Sequence, residues 1–211
     1  MRINADFTQR AAVHFAGNPW VASPAAGVDR KMLDRIGDEV ARATTLVRFA
    51  PGSAFAEHTH DGGEEFLVLD GVFQDQTGDF PVGTYVRNPP TTRHAPSATQ
   101  GAIILVKLHQ FDPQDRTGVC IDTRAITGSQ PLFSDATEDV RIEVWNPGEG
   151  IDQDAWGGIE VFVLEGGFSE GGDDFTRWDW LRLAPGARLT ANAGPLGARV
   201  WIKSGHLKNT V

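Results

Sequence analysis

The residues Gly62-Gly63-Glu64-Glu65-Phe66-Leu67-Val68-Leu69-Asp70-Gly71-Val72-Phe73 return 95 positions later as Gly157-Gly158-Ile159-Glu160-Val161-Phe162-Val163-Leu164-Glu165-Gly166-Gly167-Phe168. Upstream, Pro51-Gly52 matches Pro147-Gly148; downstream, Arg87 matches Arg182 and Pro90 matches Pro185. An internal repeat this long requires two copies of one structural unit. From Ala43 onward, short apolar runs are broken by Gly and Pro about every ten residues, the rhythm of a β-sandwich or barrel. Thr44 to Ala50, Glu65 to Phe73, Gly83 to Asn88 and Ile103 to Phe111 are the clearest strands. The expected fold is all-β, with one barrel over residues 1–115 and a second over 116–211. Met1 to Ser23 show no strong period and read as an arm packing across a neighbouring sheet or subunit, anchored by Trp20.

The stretch from Pro51 to Gly71 carries the chemistry. His58 and His60 flank Thr59, and side chains alternate along a strand, so both imidazoles point to one face and can grip one ion. Asp61-Gly62-Gly63 turns the chain back. The returning strand brings a carboxylate to the same face, with Glu64 favoured over Glu65 by its spacing to Gly71. Imidazole plus carboxylate suits a divalent transition metal such as Zn, Fe, Mn or Ni.

Gly52, five residues, His58-Thr59-His60, three residues, Glu64, six residues and Gly71 together resemble the first signature of the cupin superfamily. The stretch Gly83 to His94, with Asn88-Pro89-Pro90 leading into Thr91-Thr92-Arg93-His94, resembles the second. The wording around them is most similar to the cupin effector domain of ChrR-type anti-sigma factors. The resemblance implies two tandem cupin barrels of the double-stranded β-helix, jelly-roll kind. It also implies one zinc ion held by His58, His60, Glu64 and His94, a homodimer, and Gly27 to Gly37 forming edge strands. Read from its own residues, that segment has Val28, Met32, Leu33 and Ile36 at a short helical spacing.

The second copy provides an internal comparison. The same offset puts Gln153 under His58, Ala155 under His60, Ile159 under Glu64 and Leu189 under His94. All four proposed ligands are lost together, whereas Glu65 persists as Glu160, Asp79 as Asp174 and Arg93 as Arg188. Residues lost as a set read as ligands; residues kept in both copies read as architecture. A one-residue gap before Gly157 also allows Asp154 as the partner of His58, and either alignment leaves too few ligands for a second metal. Arg87 and Arg93 recur and are expected in structural pairs, while Asn88, Thr91 and Thr92 do not recur and are expected at the pocket rim. Trp145, Trp156, Trp178, Trp180 and Trp201 fall in the second copy and are expected to fill its interior. His14, His109 and His206 have no partner pattern and read as ordinary polar or packed histidines.

A net charge of −9, from 19 basic and 28 acidic residues, with no Lys/Arg cluster, argues against a nucleic-acid surface. No apolar run reaches membrane-spanning length, and Met1 to Asp6 lack the apolar core of a signal peptide. Cys120 is the only cysteine, so no intrachain disulfide forms, and a cytoplasmic location is expected. ChrR-type regulators grip their sigma factor with an N-terminal helical zinc domain. Only a short arm precedes the first barrel here, so sigma-factor binding is not carried over. Two functions use the same ligands: a sensory or small-ligand-binding module with zinc, and a cupin-type dioxygenase holding iron, manganese or nickel and a chelating, diketone-like substrate.

Overall fold

The computed structural model describes residues 1–208, and the described residues form strands, turns and loops without a helix. The chain divides into two compact units, one of Met1–Ala5 with Pro19–Arg124, the other of Asp6–Asn18 with the residues from Ala125 onward. The expected single cut at 115 is thus replaced by a later cut and an exchanged arm. The reason lies in one edge position of each sheet.

In the first unit the sheet, after the short edge strand Arg2–Ile3, runs Val28–Gly37, Ala41–Phe49, Ala102–Leu108, Glu64–Asp75, Thr84–Asn88 and Val119–Asp122. In the second it runs Gln130–Ser134, Asp139–Trp145, Ala187–Ser204, Ile159–Glu170, Trp180–Leu183 and Ala11–Val13. The first five strands correspond in order, as a repeat demands. The sixth comes from the segment after the first barrel in one unit and from the N-terminal arm in the other. Val119 stands opposite Arg87, and Ala11 stands opposite Arg182, the repeat partner of Arg87. The arm therefore closes a sheet edge that would otherwise present unpaired backbone groups.

Val28–Gly37 is a strand, so the helical spacing there is overturned. A register shift between Met32 and Asp34 leaves Leu33 unpaired against Ala41–Phe49, and this bulge breaks the two-residue alternation that marks a strand in sequence. A bulge also recurs between the copies. Pairing with the neighbouring strand skips Leu69 in one unit and Leu164 in the other. Two residues on, Gly71 and Gly166 adopt φ of +68° and +67°, and a Cβ on either would lie 2.1 Å from the carbonyl oxygen of Gly101 or Gly197. Only glycine fits there.

The first barrel's core gathers Phe66, Val68, Phe73, Val86, Ile104 and Val106. Phe73 touches Phe49, Phe66 and Phe80 at ring separations of 5.2, 4.9 and 6.4 Å. In the second barrel, Ala155, Ile159 and Leu189 are buried in one cluster with Trp145, Phe168 and Phe175. The expectation that five indoles fill this interior is corrected in part. Trp145 belongs to that cluster, Trp180 and Trp201 are fully buried outside it, Trp178 is half-buried, and Trp156 is 46% exposed. Ala155, Ile159 and Leu189 fill three of the vacated positions, while Gln153, in the place of His58, donates to Glu143 and accepts from Arg141.

Candidate metal centre

His58–Thr59 pairs antiparallel with Arg93–His94, and His58 stands directly opposite His94. Directly opposed residues project to the same side of a two-stranded ribbon. His60 continues past the strand and is tied to the same ribbon by His60 N donating to Thr92 O at 2.8 Å and Thr91 N donating to His60 O at 3.0 Å. The three imidazoles consequently meet, with ring centroids 4.5 Å apart for His60 and His94, 5.0 Å for His58 and His94, and 5.2 Å for His58 and His60. One ligand atom from each falls within 4.8 Å of the others.

The turn after His60 needs both of its glycines. A Cβ on Gly62 would lie 2.4 Å from His109 Nδ1, and one on Gly63 would lie 2.4 Å from the Phe111 ring. That close fit delivers Glu64, first residue of Glu64–Asp75, opposite Asn88. Asn88 Nδ2 donates to Glu64 Oε2 at 3.3 Å. The same carboxylate oxygen lies 3.5 Å from His60 Nε2 and 3.6 Å from His94 Nε2. Glu65 faces elsewhere and accepts from the Tyr85 hydroxyl at 2.7 Å. The choice of Glu64 over Glu65 thus coincides with where the two side chains point.

The ring nitrogens sort by role. His58 Nδ1 faces Ala56 O at 3.3 Å, and a carbonyl only accepts, so this nitrogen carries the proton. His60 Nδ1 faces Thr92 Oγ1 at 3.1 Å, whose own proton goes to Pro89 O at 2.7 Å, so His60 Nδ1 is again the donor. His94 Nδ1 faces Asp75 Oδ2 at 3.4 Å, within ion-pair range but not aligned as a hydrogen bond. Each Nδ1 is turned toward an oxygen. The Nε2 atoms of His60 and His94 are buried with no hydrogen-bond partner. Buried polar atoms without partners are costly, and these two nitrogens are placed to take a cation.

Electrostatics agree with that assignment. Burial, then the neighbouring His94 and His58, holds His60 down to about 3, and burial, then His58, holds His94 down to about 4. Both rings are neutral at physiological pH, as metal ligands must be. Burial pushes Glu64 up to about 7, against the lowering effect of the Asn88 hydrogen bond. Two neutral imidazoles beside a buried carboxyl that loses its proton reluctantly make a cluster whose ionised form a bound cation would favour. The donors present therefore fit a divalent ion.

Sequence reading named the four converging residues and missed Asp75, which reaches His94 from the far end of its strand. Thr92 and Asn88, placed at the rim because they do not recur, instead hold His60 and Glu64. Arg87 pairs with Asp115 at 2.6 Å as a structural residue, and Arg93 lies 3.9 Å from Glu57 at the surface. The sheet register also resolves the one-residue ambiguity of the second copy. Gln153 stands opposite Leu189 as His58 stands opposite His94, and Asp154 stands opposite Arg188.

Residues 8–112 match the family model described as the ChrR cupin-like domain. No curated protein matches the chain. Among solved structures, a Nostoc punctiforme protein provisionally assigned as a dioxygenase superposes with a TM-score of 0.72 at 13% identity, covering 99% of this chain and 84% of its own. The Escherichia coli pirin YhhW in complex with nickel(II) gives 0.71 at 13% identity, covering 93% and 98%. A deletion mutant of Bacillus subtilis oxalate decarboxylase gives 0.61 at 11% identity, covering 92% and 76%. At such identities the likeness shows the fold. The matched family model places residues 8–112 in the cupin superfamily, and the shared strand order gives the second unit the same fold.

Proposed function

We propose that the first barrel holds one divalent metal ion, zinc, through His58, His60, His94 and Glu64, and that the protein serves as a metal-dependent sensory or small-ligand-binding module of the ChrR cupin kind. The observation that carries this reading is the convergence of unpartnered buried Nε2 atoms on the Glu64 carboxylate while each Nδ1 is turned toward an oxygen. When bound, the ion supplies a Lewis-acidic centre that polarises an oxygen-donor ligand. The chain's residues do the rest. Asn88 and Thr92 fix the carboxylate and one imidazole, and Phe73, 6.0 Å from the His94 ring, walls the site on its apolar side. His58 is exposed, so a small ligand has access from that edge.

The exposed His58 edge also favours a second reading, a cupin-type dioxygenase with iron, manganese or nickel, in keeping with the neighbour assigned provisionally to that activity. Oxygen uptake separates the two. Protein reconstituted with Fe(II) and offered a panel of 1,3-diketones should consume oxygen no faster than a His58→Ala/His60→Ala control. Sustained, site-dependent turnover of any panel member would replace the sensory reading with the enzymatic one.

A further inference from the structure

Asp75 closes the strand Glu64–Asp75, and its side chain is 8% exposed. Its Oδ1 accepts from Thr77 N at 2.7 Å and from Thr77 Oγ1 at 2.6 Å, which fixes the hairpin turn. That leaves Oδ2, which faces His94 Nδ1 at 3.4 Å. The other two histidines of the cluster face neutral oxygens, Ala56 O and Thr92 Oγ1. His94 alone is backed by a carboxylate. In the second barrel the corresponding residue is Glu170, which pairs with Arg10 at 2.8 Å, and the residue in the place of His94 is Leu189. An acid ends the strand in both copies, but it is turned onto an imidazole only where there is one to orient.

Resting on the metal-centre reading above, we propose that Asp75 is a positioning residue of that centre. Its Oδ2, 3.4 Å from His94 Nδ1 though not aligned as a hydrogen bond, draws the ring proton to that nitrogen, favours the tautomer whose Nε2 lone pair faces Glu64, and strengthens Nε2 as a donor. A carboxylate behind a ligating imidazole has this effect generally. Asp75 has two oxygens for two tasks, the turn and the ring. Asparagine has one oxygen, so Asp75→Asn must give up one of them. If its amide nitrogen faces His94, it donates to Nδ1 and moves the ring proton to Nε2, where it blocks the donor.

The test pairs Asp75→Asn with Thr77→Ala, which removes one hydrogen bond of the turn and leaves the carboxylate in place. Zn(II) affinity, measured by competition with a chromophoric chelator, should fall by about 10- to 100-fold in Asp75→Asn and stay near the parent value in Thr77→Ala. A second readout needs no metal. Nitrogen NMR of the metal-free parent should show His94 protonated at Nδ1, and Asp75→Asn should shift it toward Nε2–H. Unchanged affinity in Asp75→Asn, an equal loss in Thr77→Ala, or an unchanged His94 tautomer would each overturn the proposal. A parent protein that binds no divalent metal, yet shows the tautomer change, would sink the metal-centre reading and leave the Asp75–His94 contact standing.

Discussion

Replacing Glu64 by glutamine should stabilise the metal-free protein while it weakens metal binding. Burial moves the Glu64 carboxyl from 4.5 to about 7. Its folded-state value is raised, so the unfolded chain loses this proton near 4.5 while the folded chain keeps it until about 7. The contribution of Glu64 to the stability of the metal-free form therefore falls as pH rises between those values, and its full cost is present above about 7. At about 1.4 kcal/mol per pKa unit, the cost is about 3 kcal/mol. His60 and His94 act in the opposite sense, since their unfolded rings hold protons up to about 6.5 that the folded rings release near 3 and 4; comparing the parent with Glu64→Gln at each pH isolates the carboxyl. Glutamine keeps the shape and the acceptor for Asn88 and removes the charge. Metal-stripped Glu64→Gln should exceed the parent by up to about 3 kcal/mol at pH 8 and match it at pH 4. Hydrogen exchange of the amides in Glu64–Asp75 reports the first unit by itself. Saturating zinc should then invert the ranking, since only the parent offers the carboxylate and binding stabilises the folded state in proportion to affinity. A metal-free variant less stable than the parent at pH 8, or a difference that does not change with pH, would refute the claim that Glu64 is an uncompensated buried acid awaiting a cation.

Asn88→Ala removes the one hydrogen bond that lowers Glu64; zinc affinity should fall about 10-fold by chelator competition, the low end for outer-shell partners. Gly71→Ala places a Cβ 2.1 Å from Gly101 O at a φ of +68°. It should lose at least the roughly 1–3 kcal/mol of left-handed strain in urea unfolding, and Gly166→Ala should do the same to the second unit. Leu189→Ala, at a fully buried site in the second core, should cost about 3–5 kcal/mol there and leave zinc affinity of the first unit unchanged.

The sequence carried most of the site because its ligands sit close together along the chain. His58, His60 and Glu64 span one turn, and the second copy shows the same turn without them. What it hid are contacts made across large sequence separations by common residue types. Asp75, Thr92 and Asn88 resemble any turn or strand-end residue until the fold sets them against His94, His60 and Glu64. The exchanged edge strands were invisible for a related reason: Ala11–Val13 and Val119–Asp122 are too short to show alternation, and their partners are fixed by a free sheet edge. Leu33 misled because a bulge erases the strand period. Two of the tryptophans misled because bulk suggests filling a core, whereas Trp156 is exposed and Trp178 half-buried, and three of the emptied ligand positions are taken by Ala155, Ile159 and Leu189.

The most direct test of the central claim is metal content by mass spectrometry on protein purified without chelators, beside a His58→Ala/His60→Ala control. The geometry predicts about one divalent ion per chain in the parent, held by a single set of donors, and none in the control; zinc as that ion is the result the proposed sensory function expects. A parent that carries no metal even after reconstitution, or a control that retains it, would contradict the site.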